Sequence, residues 1–356
     1  MAVTRRLLVP ATIVAVGLAL TACSRKITRV EVVQQPQSCF ECHSDSTTAL
    51  VAAEQQWEHS LHASGGTLSE NFSDCKGCHT SEGFVARATG ATVPSVIDNP
   101  TSIHCFTCHA PHTNGDFRVR WTAVATLKNG ASYDLMGGNL CVACHLARNN
   151  VTTYVSGRPA LSEYWGPHHG VQGDMLIGSN GYEYAGYTYG KTNHRLWLDN
   201  GCLDCHMKTT LQNVVGGHSF NMEYSLGAGE VLNTAACVKC HDEIGDFSDV
   251  GVAEEGFSVQ DSVDVLIGRL EGILVANNLI SSTGDKLPES VTTSADSAGA
   301  VWNLLMARED RSHGVHNARY IMGLLESSIA YMQGGRPQLM VAAREQQAAQ
   351  QRRRTR

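Results

Sequence analysis

CKGCH, residues 75–79, holds two cysteines two residues apart with a histidine directly after them. The same pattern occurs as CFECH at 39–43, CFTCH at 105–109, CVACH at 141–145, CLDCH at 202–206 and CVKCH at 237–241. These six runs use twelve of the thirteen cysteines. A zinc ribbon needs paired C-x-x-C units but has no reason for a histidine after every pair. A disulfide has no such reason either. Covalent haem c attachment explains the whole pattern. Two thioethers, from Cys39 and Cys42, Cys75 and Cys78, Cys105 and Cys108, Cys141 and Cys144, Cys202 and Cys205, and Cys237 and Cys240, hold the porphyrin vinyl groups. The adjacent His43, His79, His109, His145, His206 or His241 then lies under the iron as proximal ligand. The expected cofactor is six covalently bound haem c groups.

The motif starts are 36, 30, 36, 61 and 35 residues apart, an array without a strict sequence repeat. That leaves too little chain to wrap each porphyrin separately, and aromatics make up only 6% of residues. The expected class is therefore mostly α with much irregular chain. Packed haems form its core, and helices close the C-terminal end. A formal charge of −7 argues against nucleic-acid binding.

The N-terminus predicts export. Arg5 and Arg6 precede an apolar run, Leu7–Leu20, which is short for a membrane span and suits a signal peptide. It ends in Leu20-Thr21-Ala22-Cys23, a lipobox pattern, and Cys23 is the cysteine left outside the haem motifs. Lipidation at Cys23 is expected, and Ser24 after it favours the outer membrane. A twin-arginine route is disfavoured, because c-type haem is attached to an unfolded chain after export. The expected organisation is a signal at 1–22, a tether at 23–37, a haem region at 38–250, a helical region at 251–333 and a polar, basic tail at 334–356. The arginines of that tail are read as solvated. The Gly/Tyr-rich stretch GSNGYEYAGYTYG reads as an ordered loop with a short hairpin. Ser258 and Asp261 read as a capping pair for a helix in which Val259, Val263, Leu266, Leu270, Ile273 and Leu274 recur at helical spacing. Two further helices are expected at about 294–308 and 317–333.

Six irons have twelve axial positions. Sixteen histidines less the six proximal ones leave ten, so two histidines per iron is the default. The distal candidates are His62, His112, His194, His218, His316 and one of the adjacent His168 and His169. Spacing does not choose between those two. His112 is three residues from His109, a reach of roughly 10 Å, and Pro111 stiffens the link, so it should serve a neighbouring haem. Gly216 and Gly217 would let backbone approach a porphyrin beside His218. His59, His104 and His313 are weaker candidates. Met175, Met207 and Met222 read as packing or out of reach.

The six motifs, together with TSIHCFTCHAPH, WGPHHGVQGDML, YTYGKTNHRLWLDNGCLDCHM, VGGHSFNM and HGVHNARYIMGLLESSIAYM, resemble bacterial multihaem cytochromes c over roughly residues 38–333. The resemblance is to the group that includes ammonia-forming nitrite reductase, hydroxylamine oxidoreductase and the electron-transfer cytochromes of metal-reducing bacteria. In that group such histidines are distal ligands. The C-x-x-C-K motif of the nitrite reductases is missing here, and the histidine surplus argues against an open iron. The resemblance therefore implies the scaffold and its ligands but not the reductases' reaction.

The favoured expectation is an extracytoplasmic electron carrier with no catalytic residue of its own. A lipid anchor would hold it at a membrane. It would work between a periplasmic or quinol-linked donor and an outer acceptor or partner cytochrome. One alternative is a terminal reductase of a small oxyanion, in which His104, His169 and Arg118 would help at one open haem. Another is a subunit of a filament or oligomer, which a membrane-tethered N-terminus would hinder.

Overall fold

The computed structural model describes residues 47–65, 75–157, 160–227, 229–242, 244–249, 258–283 and 291–334. The signal segment, Cys23, the tether, the first haem motif and the tail beyond residue 334 lie outside the described residues.

The longer helices are α1 (Thr48–Glu58), α2 (Ser81–Ala88), α3 (Val151–Gly157), α4 (Gln172–Ile177), α5 (Val259–Ala276), α6 (Ala295–Asp310) and α7 (Ala318–Met332). Three two-stranded antiparallel ribbons accompany them. β1 (Ala125–Thr126) pairs with β2 (Ser132–Tyr133), β3 (Ala160–Leu161) with β6 (Val291–Thr292), and β4 (Glu223–Ser225) with β5 (Glu230–Leu232). The rest is turns and irregular chain, in keeping with the helical, loop-rich class expected.

The C-terminal helices start where their side chains can satisfy the free N–H groups. Ser258 and Asp261 form a reciprocal capping box on α5. The Ser294 side chain accepts from Ser297 N–H on α6, and that of Asn317 accepts from Tyr320 N–H on α7. Helix α6 buries Val301, Trp302, Leu304, Leu305 and Met306, and polar Asn303 as well. A helix buried on most of its faces is a central one. Accordingly, α3, α5 and α7 all pack on it.

Beside the packed haems expected as core, the apolar faces of the C-terminal helices gather into a sizeable side-chain core of their own. Trp165, Met175, Val263, Leu270, Leu274, Trp302, Tyr320 and Leu324 belong to one continuous buried cluster. The haem-bearing stretches hold only small apolar groups, such as Phe84 with Leu140 and Ala143. Trp165, Trp302 and Tyr320 gather in this one body, whereas Phe84, Phe106, Phe117 and Tyr133 lie outside it along the array.

The Gly/Tyr segment forms no hairpin. Its chain lies along the helices, and its tyrosines anchor there. Tyr182 OH donates to Asp296 Oδ1 at 2.6 Å, Tyr184 stacks on Tyr331, and Tyr189 OH donates to Ser327 Oγ at 3.0 Å. Asn303 takes the place of a strand partner. Its Oδ1 accepts from Tyr182 N–H at 2.8 Å, and its Nδ2 donates to Tyr182 O at 2.9 Å. Backbone polar groups must find partners when buried, and here side chains supply them.

Candidate haem sites

The C-x-x-C-H motifs of the described chain fold as single turns. His79 N–H donates to Cys75 O at 3.0 Å, and His109, His145 and His241 make the same bond to Cys105, Cys141 and Cys237 at 2.9 Å. Cys202–His206 is a helical turn. Residues i, i+3 and i+4 of a helical turn share one face. Each motif therefore presents its two thiols and its imidazole together.

Every described proximal histidine faces a second histidine from a distant part of the chain. His62 faces His145 with ring centres 6.2 Å apart, and His168 faces His79 at 6.3 Å. His218 faces His109 at 6.3 Å. His194 faces His241 and His316 faces His206, both at 6.2 Å. Five independent pairs share one spacing, and it is too long for direct ring contact. A metal–imidazole bond of about 2 Å, plus about 1.1 Å from nitrogen to ring centre, puts two imidazoles on one metal about 6.2 Å apart. The residues present therefore fit haem iron held between two histidines. Among the described residues no cluster of three or more His, Cys, Asp or Glu side chains is disposed to hold a metal.

Hydrogen bonds fix several rings from behind. His206 Nδ1 lies 2.8 Å from Phe220 O, and His194 Nδ1 lies 2.9 Å from Val315 O. His145 Nδ1 meets Gln172 Oε1 at 3.1 Å, and His316 Nδ1 meets Asp310 Oδ1 at 2.8 Å. With Nδ1 so engaged, Nε2 is the nitrogen left for the gap. Burial pushes His62 down to about 4, helped by His145. Burial also pushes His168 to about 4, helped by Arg148, and lowers His194, His206 and His218. Those rings are neutral at pH 7, the form that binds metal. Burial works against charge on His316 too, but Asp310 outweighs it and raises that group.

Helix α1 places two of the distal rings. Trp57 Nε1 donates to Ile103 O at 2.9 Å, and Ser60 Oγ donates to Trp57 O at 2.6 Å, which holds the turn that carries His62. Gln56 Oε1 accepts from His218 N–H at 2.9 Å. The glycines before His218 serve that protein contact. A Cβ on Gly216 would meet Lys208 O at 2.0 Å, and one on Gly217 would meet Gln56 Oε1 at 2.2 Å. Close protein packing is thus a reason for these glycines that spacing did not reveal.

The turn before α7 places two more rings. It carries His316, its Val315 O holds His194, and Asn317 Oδ1 accepts from Thr192 N–H at 2.9 Å.

Of the adjacent pair, His168 is the one that reaches a proximal histidine. It does so from φ +74°, the left-handed region that a non-glycine residue adopts at a cost. His169 turns away to Glu309, with its Nδ1 2.6 Å from Oε2. His313 pairs with Asp264 at 2.7 Å, His59 sits edge-on to Tyr224, and His104 Nδ1 accepts from Phe106 N–H at 3.2 Å. His112 is exposed beside Phe106, with ring centres 6.1 Å apart.

Two contacts were not legible in the sequence. Arg87 Nη1 lies 3.3 Å from Cys78 Sγ, and its Nη2 lies 3.5 Å from Cys144 Sγ and 2.8 Å from Ala143 O. One guanidinium thus ties the second motif to the fourth. Leu61, Phe106, Leu196, Trp197 and Val238 are exposed large apolar side chains within or beside the motifs and facing histidines. A flat apolar porphyrin is a surface suited to cover them.

No protein-family model matches the chain. Two polyhaem c-type cytochromes of Geobacter sulfurreducens do. OmcB is 23% identical over 371 residues, covering 84% of this chain and 48% of OmcB. OmcC is 26% identical over 334 residues, covering 73% of this chain and 43% of OmcC. The chain is a multihaem c-type cytochrome. It spans about half the length of the curated relatives it matches.

Two solved structures are similar to this cytochrome. The outer cell wall cytochrome OcwA gives a TM-score of 0.47 at 17% identity, covering 78% of this chain and 49% of OcwA. An undecahaem S-layer cytochrome of Carboxydothermus ferrireducens gives 0.39 at 15% identity, covering 80% and 40%. No described helix of the cytochrome is long and apolar enough to cross a membrane.

Proposed function

We propose that this cytochrome is an extracytoplasmic electron carrier with six haems, each held between two histidines. The observation that carries the reading is the set of five facing histidine pairs at 6.2–6.3 Å. His62 would serve the haem of Cys141 and Cys144, His168 that of Cys75 and Cys78, and His218 that of Cys105 and Cys108. His316 would serve that of Cys202 and Cys205, and His194 that of Cys237 and Cys240. His112 would complete the haem of Cys39 and Cys42, since its short, proline-stiffened link to His109 keeps it from the far face of the haem of Cys105 and Cys108.

Haem supplies a one-electron ferric–ferrous couple. The two histidines of each facing pair would hold the iron in both states, so no ligand would have to move. Cys23 lipidation would tether the chain at a membrane surface, with other cytochromes or a quinol-linked protein as partners. A reductase needs an iron with one side open to substrate, and the five pairs give no such side.

Spin state tests the reading. The purified holoprotein should show only low-spin ferric signals and bind almost no carbon monoxide when reduced. One equivalent of bound carbon monoxide would put a substrate-converting haem in place of the carrier.

A further inference from the structure

Four rings of the facing pairs have a defined partner at Nδ1, and those partners differ in charge. His194 and His206 meet backbone carbonyls, and His145 meets a carboxamide. His316 meets a carboxylate, Asp310 Oδ1, at 2.8 Å. Asp310 is buried, 3% exposed, at the last turn of α6. Its second oxygen accepts the Ser312 hydroxyl. Ser312 Oγ in turn accepts from His316 N–H at 3.2 Å. Between them Arg311 sits at φ +55°, which folds the chain back and holds Asp310 against a ring six residues further on. The carboxylate is thus buried and fixed in direction by two donors.

We propose that Asp310 is a positioning residue that lowers the reduction potential of the haem carried by Cys202 and Cys205. The inference rests on His206 and His316 being the ligands of that haem. A carboxylate acceptor draws the Nδ1 proton toward itself and leaves more electron density on Nε2. Stronger donation from Nε2 stabilises ferric iron relative to ferrous iron, and a buried negative charge nearby acts in the same direction. The carbonyl that His206 meets is neutral and does this less. One ligand of this haem therefore carries a bias that the carbonyl-bonded His194 does not give the haem of Cys237 and Cys240. Tuning by the residue behind a ligand is one of the few levers an array of chemically identical bis-histidine sites has for ordering its potentials.

The test is a spectroscopic redox titration of the holoprotein and of Asp310→Asn, with haem content measured in both. Asparagine keeps the shape and an acceptor oxygen but removes the charge. One midpoint should move upward while the others hold and every haem stays low-spin. Ser312→Ala removes the competing donor and should move the same midpoint downward. An Asp310→Asn variant with full haem content and unmoved midpoints would overturn the proposal, as would a downward shift. His316→Ala separates the two levels of the argument. If it leaves every haem low-spin, the ligation reading fails. If it yields one high-spin haem while Asp310→Asn moves nothing, ligation stands and the role of Asp310 falls.

Discussion

The imidazole of His62, just past α1, stands 6.2 Å from that of His145, with the ring planes 61° apart. One iron between them would join α1 to the fourth motif, far along the chain. Each of the other four pairs would make a similar long-range staple. His62→Ala should keep all haems covalently attached, because no thioether is touched. It should leave the haem of Cys141 and Cys144 with one axial ligand. The expected readout is one high-spin ferric signal and one equivalent of carbon monoxide bound on reduction. His169→Ala and His313→Ala, which remove rings held by Glu309 and Asp264, should produce neither.

Haem count follows from the motifs themselves. The intact mass of the mature delipidated protein should exceed the chain mass by six haem equivalents. Cys141→Ala with Cys144→Ala should remove one haem and lower the yield of folded protein. The fourth motif sits in the small cluster of Phe84, Leu140 and Ala143 and is tied through Arg87 to the second.

Much of this was legible before any coordinates. Six C-x-x-C-H runs name the cofactor because thioether chemistry needs that spacing. Ser258, Ser294 and Asn317 mark helix starts because capping is a local property. The matching of rings was not legible. Nothing in local sequence says that His62 meets the fourth motif and not the first, since the match depends on α1 being held through Trp57 to Ile103 and through Gln56 to His218. Nor could spacing separate His168 from His169. What separates them is a left-handed backbone at one and Glu309 beside the other. The C-terminal core was underestimated because a 6% aromatic content says nothing about where Trp165, Trp302 and Tyr320 gather.

The two glycines before His218 should differ in tolerance. Gly216 has φ +67° and ψ −173°, a conformation nearly restricted to glycine, and a Cβ there meets backbone. Gly216→Ala should cost at least about 2 kcal/mol of stability. Gly217, at φ +53°, lies in the milder left-handed region, and a Cβ there meets the flexible end of the Gln56 side chain. Gly217→Ala should cost less, though it displaces the Gln56 bond to His218 N–H. Urea unfolding followed at the haem absorption band ranks the two, and equal midpoints would contradict the packing argument.

Lipidation rests on the Leu20-Thr21-Ala22-Cys23 pattern. Cys23→Ser should release the protein into the soluble fraction or stop signal processing. A variant that fractionates with membranes and matures like the parent would remove the anchor from the proposal.

Asp174 gives the pH dependence. It is buried in α4, and burial pushes its carboxyl up to about 6 although Ala147 N–H donates to it at 2.7 Å. A carboxyl whose folded pKa lies above its unfolded value favours the folded state most when protonated. Its contribution is therefore greatest below about 4, falls as pH rises through about 6, and leaves a cost at neutral pH. Asp174→Asn removes that cost while keeping an oxygen for the Ala147 N–H. The variant should be more stable than the parent at pH 8 by up to about 3 kcal/mol. The advantage should shrink mainly as pH falls from about 6 to about 4. Urea midpoints of both proteins across that range measure it. A difference that grows toward acid would mean that Asp174 is held ionised in the folded protein, with Ala147 N–H and its neighbours outweighing burial.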